Sequence, residues 1–120
     1  MHLHDLEKYI AIDIAEALEE RFMDSEELYA RFLKKLEAAN DLAVVESFVA
    51  QQNWEEALRK AHNLKGVCGS LGLTKLQAQL ATLVKLLRSE GFTAEQVAGQ
   101  LNYIRPEWER TLDCIRRLDA

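Results

Sequence analysis

Apolar positions recur at three- and four-residue intervals almost from end to end of the chain, the period of helices that bury one face. Leu3, Leu6, Ile10, Ile14 and Leu18 open the pattern and predict an amphipathic first helix to about Arg21, lying across the end or side of the main body. Asp24 and Glu27 have the spacing of a capping box, with Met23 and Leu28 placed as a hydrophobic staple. A second helix should then run to Ala39 with Leu28, Phe32 and Leu36 inward. A polar break at Asn40 and Asp41 precedes Leu42, Val45, Phe48 and Val49, a further helix ending near Gln52. Asn53 and Glu56 cap the next helix, which should persist to about Ser70 and stop at Gly72.

Thr74 is placed to cap a helix whose Leu76, Leu80, Leu83 and Leu87 follow the spacing of a bundle seam, closed by Gly91 as a left-handed terminator. Thr93 and Gln96 form another capping box, and Val97, Leu101, Ile104, Trp108, Leu112, Ile115 and Leu118 carry the last helix to the end. Pro106 should kink that helix or split it in two, because it cannot donate to the carbonyl of Asn102. No strand-like alternation is present, and short connections make consecutive helices antiparallel. The pattern predicts an all-α fold, an up-and-down antiparallel four-helix bundle with additional short N-terminal helices, formed by a single domain over residues 1–120.

Composition narrows the function classes. A hydrophobic fraction of 48% with one proline and five glycines fits a compact, soluble, helical domain. No apolar run approaches the ~18 residues of a membrane span, so no membrane contact by this domain is expected. The amino terminus lacks a basic stretch followed by an apolar block. A cytoplasmic location is therefore expected, unless the domain was cut from a longer, membrane-bound chain. A net charge of −5 argues against nucleic-acid binding, which requires phosphate neutralisation. Cys68 and Cys114 sit at apolar helical positions far apart in sequence and read as reduced core residues. His2 and His4 are the only short-spaced pair of metal-ligand type and lie in a terminal segment, so no metal site is expected.

One stretch conflicts with its own helical pattern. Ala61 to Gly72, AHNLKGVCGSLG, places glycines in a helix interior, where each costs roughly 0.8–1 kcal/mol against alanine. Projected at about 100° per residue, Ala57, Ala61, Leu64, Cys68 and Leu71 share an apolar face. His62, Lys65, Gly66 and Gly69 share another, with Leu58 at the seam and Arg59 at its outer edge. Gly66 and Gly69 fall one and two turns after His62, where a side chain would obstruct the imidazole. The projection thus describes an accessible nucleophile on a rigid rod. Histidine's ordinary pKa near 6.5 leaves most of it neutral and nucleophilic near neutral pH.

Other chemistries lack residues. The position one turn after His62 is Gly66 and supplies no second metal ligand. No glycine-rich loop for ATP phosphates is present. Cys68 lies on the core face, and Ser70 is about two turns away, so neither is a nucleophile served by His62. The cations Arg59, Lys60 and Lys65 are a local exception on an acidic chain, and Lys65 is placed to pair with a phosphoryl group.

The segment resembles the histidine-containing phosphotransfer (HPt) domain family, whose motif runs alanine, histidine, variable, leucine, lysine, glycine, then small residues leading to leucine and glycine. Ala61, His62, Leu64, Lys65, Gly66, Gly69, Leu71 and Gly72 match it. The lead-in LEERFMDSEELYARFL, Leu18 to Leu33, is similar to the family's opening, in which an arginine and an aspartate precede a Glu-Leu-Tyr run. The resemblance extends over roughly residues 12 to 118.

It implies a four-helix core in which His62 takes a phosphoryl group from a receiver-domain aspartate and passes it to another. Lys65 would be the phosphoryl charge partner, and Gly66 and Gly69 would provide access. The implied partners are response-regulator receiver domains and a hybrid sensor histidine kinase, of which this chain could be a fragment. No ATP site and no cofactor of its own are expected, magnesium belonging to the receiver partner, and a monomer is expected. Leu58, Arg59, Leu73, Gln77 and Val84 are candidates for the docking rim.

Two positions depart from the family. Many members carry a glutamine or glutamate that orients the imidazole from the following helix, where this chain has Val84; Gln77, one heptad earlier, is the candidate substitute. Ser70 stands where asparagine is common. These departures argue for one alternative, a helical interaction module that docks receivers without being phosphorylated; the other alternative, the histidine domain of a chemotaxis-type kinase, needs a separate ATP-binding domain outside these 120 residues.

Overall fold

The apolar stripes become six α-helices in the computed structural model, which describes Met1–Asp119. A short 3-10 helix, Leu3–Lys8, precedes α1 (Ile14–Arg21), α2 (Glu26–Ala39), α3 (Asp41–Ala50), α4 (Trp54–Ser70), α5 (Thr74–Arg88) and α6 (Ala94–Arg116). No strand occurs among the described residues, and no helix there is long and apolar enough to cross a membrane.

Four sides enclose the core. α4 packs on α3 and α5, α5 on α6, and α6 on both α2 and α3. Cross-links from Lys34 to the Ile115 carbonyl (2.7 Å), from Trp108 Nε1 to Asn40 Oδ1 (2.9 Å) and between Arg105 and Glu46 run in steady antiparallel register. α2 and α3 therefore form one side along α6, jointed at Asn40, whose left-handed backbone (φ 46°) ends one helix and begins the next. Lys34 also meets the carbonyls of Arg116 and Leu118, satisfying the otherwise open C-terminal end of α6.

The first predicted helix is interrupted. Leu6, Ile10, Ile14, Ala17 and Leu18 are all buried, as their spacing demands, but the chain leaves helical geometry between Lys8 and Ile14. Its backbone there is claimed by the α4–α5 turn: Asp13 N–H donates to the Gly72 carbonyl (2.8 Å) and the Thr74 hydroxyl to the Ala11 carbonyl (3.4 Å). Gly72 is left-handed (φ 73°), and a Cβ there would lie 2.5 Å from the Asp13 carbonyl oxygen, so only glycine admits this docking.

The α2 start also differs. Met23 and Asp24 are left-handed and terminate α1, and Met23 is 84% exposed and staples nothing. Ser25 is the cap, its hydroxyl accepting from Leu28 N–H (3.2 Å). The buried face is accordingly Tyr29, Leu33 and Leu36, while Leu28 is half-buried and Phe32 is 42% exposed. Thr74 is the first residue of α5 rather than its cap, since its hydroxyl serves Ala11. α6 runs unbroken through Pro106, held by packing against three other helices.

The other local signals act as read. Asn53 caps α4 through Glu56 N–H, Thr93 and Gln96 form a reciprocal box at α6, and Gly91 is left-handed. Cys68 and Cys114 are buried and unpaired, and burial pushes the Cys68 thiol up to about 12.

Candidate functional site

α4 is the element that presents the histidine. Ala57, Ala61, Leu64 and Cys68 bury one face of it, which sets His62 and Gly66 on the exposed side. Its C-terminal carbonyls are met one by one. The buried Tyr29 hydroxyl donates to Leu71, Arg21 Nε donates to Ser70 (2.7 Å), and Leu73 N–H donates to Cys68 (2.9 Å). Arg21 is itself held by Glu16, whose carboxyl its guanidinium keeps below the usual carboxylate range. The arginine and tyrosine of the lead-in thus pin the end of the histidine helix.

Around His62 the space is open. A Cβ added at Gly66 would meet nothing within 4 Å, so the position one turn along offers no obstruction to an incoming group. Gly69 is different: its vacant Cβ position lies 2.6 Å from Gln77 Nε2, so the carboxamide of α5 occupies that room. Gln77 therefore packs over Gly69, two turns from His62, and makes no hydrogen bond to the imidazole among the described residues.

Charge is distributed unevenly. Arg59 is tied to Glu56, and Lys60 to Asp41 at 3.3 Å. Lys65, half-buried one turn from His62, and Arg88 at the end of α5 form no ion pair with a carboxylate among the described residues. Arg88 Nη2 stands 3.5 Å from His62 Nδ1. The sequence reading missed this residue. It lies one turn beyond Val84 on the same helix, and an arginine spans the distance that a residue opposite the histidine would not need to.

The predicted docking rim is redrawn. Leu73 and Val84 are 1% and 2% exposed and belong to the hydrophobic core instead of facing a partner. Leu58 is half-buried against the same core. On the other side of Gly66 lies an open groove of about 780 Å³ between α2 and α4, lined by Phe22, Phe32, Leu36 and Val67 and flanked by Arg21 and Lys35. Phe32 and Val67 are 42% and 43% exposed, and Lys35 sits over the Phe32 ring at 4.9 Å. The shift of α2's inward face from Phe32 to Leu33 is what leaves this apolar surface outside.

Among the described residues no group of three or more His, Cys, Asp or Glu side chains is placed to hold a metal ion. Comparison with curated proteins and with solved structures gives no match. The family model of the Hpt domain matches residues 27–119, which takes in the whole histidine helix and begins just after the α2 cap. With that match over most of its length, and an all-helical bundle presenting an exposed histidine beside an open glycine, the chain belongs to the Hpt domain family.

Proposed function

We propose that this protein is a histidine phosphocarrier within the phosphorelays its family serves, accepting a phosphoryl group on His62 from a receiver-domain aspartate and passing it to a second receiver aspartate. The observation that carries the reading is the unobstructed approach: His62 is exposed on a helix pinned at its C-terminal end, and nothing stands within 4 Å of the Gly66 Cβ position.

The chemistry follows from these parts. A ring nitrogen attacks phosphorus in line, the bond from phosphorus to the aspartyl oxygen breaks, and the aspartate leaves as a carboxylate. Phosphoryl transfer of this kind depends mostly on positioning and charge neutralisation. Lys65, uncommitted to any carboxylate among the described residues, is the cation that meets the phosphoryl oxygens. The receiver supplies the magnesium ion and acidic pocket, so the chain works without an ATP site of its own. The groove between α2 and α4 gives the receiver an apolar surface, Phe32 and Val67, beside the reacting group.

Incubation with a labelled phosphorylated receiver and magnesium tests the proposal. Acid-labile, base-stable label is expected on the wild-type protein and none on His62→Gln. Label that persists in His62→Gln, or none on the wild type across a panel of receivers, refutes it.

A further inference from the structure

The contact between Arg88 and His62 has a chemical direction. A guanidinium has donors and no acceptor, so across the 3.5 Å from Arg88 Nη2 to His62 Nδ1 it is the arginine that donates. A hydrogen bond across this contact requires the Nδ1 lone pair, and so favours the neutral ring whose proton resides on Nε2. A glutamine or glutamate at the position of Val84 would offer an oxygen to Nδ1–H and leave Nε2 bare. The partner found here favours the opposite tautomer.

Resting on the carrier reading above, we propose that Arg88 is a positioning residue that brakes His62: it holds the unloaded ring through Nδ1, keeps Nε2 protonated, and is drawn off when an anionic receiver site docks. Attack through Nε2 needs a ring protonated at Nδ1. The Nε2 lone pair forms the N–P bond, the P–O bond breaks with its electrons going to the aspartyl carboxylate, and the Nδ1 proton stays on the ring. Return of the phosphoryl group is easiest from that same Nδ1-protonated ring, because it departs as neutral imidazole. A donor fixed at Nδ1 opposes both directions.

The release follows from charge. Arg88 is exposed and pairs with no carboxylate among the described residues, whereas the other arginine near the site, Arg59, is tied to Glu56. The aspartyl phosphate and acidic pocket of a receiver offer Arg88 a stronger, charge-assisted partner than a neutral ring nitrogen. Small phosphoryl donors, which bring no such pocket, meet the braked ring. The device favours transfer within the docked complex over adventitious loading.

Two measurements on the intact chain decide this. Two-bond proton–nitrogen correlation spectra of unloaded protein should show His62 with Nε2 protonated and Nδ1 bare. The Nδ1-protonated fraction should rise in both Arg88→Ala and Arg88→Gln, because neither side chain carries a guanidinium donor to Nδ1. A wild-type ring already protonated at Nδ1, or a tautomer ratio unmoved in both variants, overturns the proposal. Labelling by phosphoramidate should accelerate about two- to tenfold in Arg88→Ala, the equivalent of one ordinary net hydrogen bond, while transfer from a phosphorylated receiver should not accelerate. An equal acceleration with both donors overturns release by the partner. Complete absence of label in every variant refutes the carrier reading and the brake with it, whereas the spectra judge the Arg88 contact independently of transfer.

Discussion

Gly66→Leu separates access from packing because the structure gives the two effects opposite signs. A Cβ at residue 66 meets nothing within 4 Å, so a side chain can start there freely and the substitution should relieve the glycine penalty. Leucine ranks just below alanine in helix propensity, and the gain is therefore slightly under the ~0.8–1 kcal/mol that separates glycine from alanine. An unfolding entropy of about 2.1 cal/mol/K per residue gives about 0.25 kcal/mol/K for 120 residues. The midpoint of thermal unfolding should consequently rise by about 3 °C. Function should move the other way. The new side chain sits one turn from His62, about 5–6 Å away between Cβ atoms, in the path of the incoming phosphorus. Displacing reacting atoms by an ångström costs on the order of a hundredfold, so the initial rate of labelling from a phosphorylated receiver should fall at least that far. Calorimetry and a transfer time course on the same preparation suffice. A lowered midpoint shows that Gly66 serves packing; an unchanged labelling rate in a stable variant shows that the approach does not run over this position. Either result refutes the access argument.

Gly72→Ala should act in the opposite sense, with strained left-handed backbone and a 2.5 Å approach to Asp13 together costing about 3 kcal/mol or more, read as a lowered midpoint in denaturant unfolding. Tyr29→Phe leaves the buried Leu71 carbonyl without its donor and should cost about 1–3 kcal/mol; an unchanged midpoint shows that water or another group replaces the hydroxyl. The Cys68 thiol, raised to about 12 by burial, should resist a disulfide reagent at pH 8 until denaturant is added. Because its folded pKa lies above the unfolded value near 8.5, its contribution to stability is complete below that value. It is lost as pH rises from there towards 12, so unfolding midpoints should decline across that alkaline window and less so in Cys68→Ala.

Much of this architecture was legible in one dimension. The i, i+3, i+4 spacing assigned the buried faces of α4, α5 and α6, and the caps at Asn53 and Thr93 act where they were read. These signals are local: a cap or stripe depends on residues within two turns of itself. At the amino end the misreadings arise where a group read as part of one element is claimed by another. The helix through Leu3 and Leu18 breaks because Gly72, far along the chain, takes the Asp13 N–H. Asp24 fails to cap α2 because it is spent ending α1, which turns Phe32 outward.

The site divides along the same line. Periodicity alone put His62 opposite the core and Gly66 beside it, since both sit on one rod whose buried face was already fixed. What faces His62 from α5 depends on the rotation and splay of a second helix, which no spacing within α5 encodes. Helix packing buried Val84, sent Gln77 to Gly69 and brought Arg88 to Nδ1. The sequence by itself therefore determined the exposed histidine and the open position beside it. Only the tertiary structure decided which group stands beside the ring, because that contact joins two helices and is set by how their cores interlock.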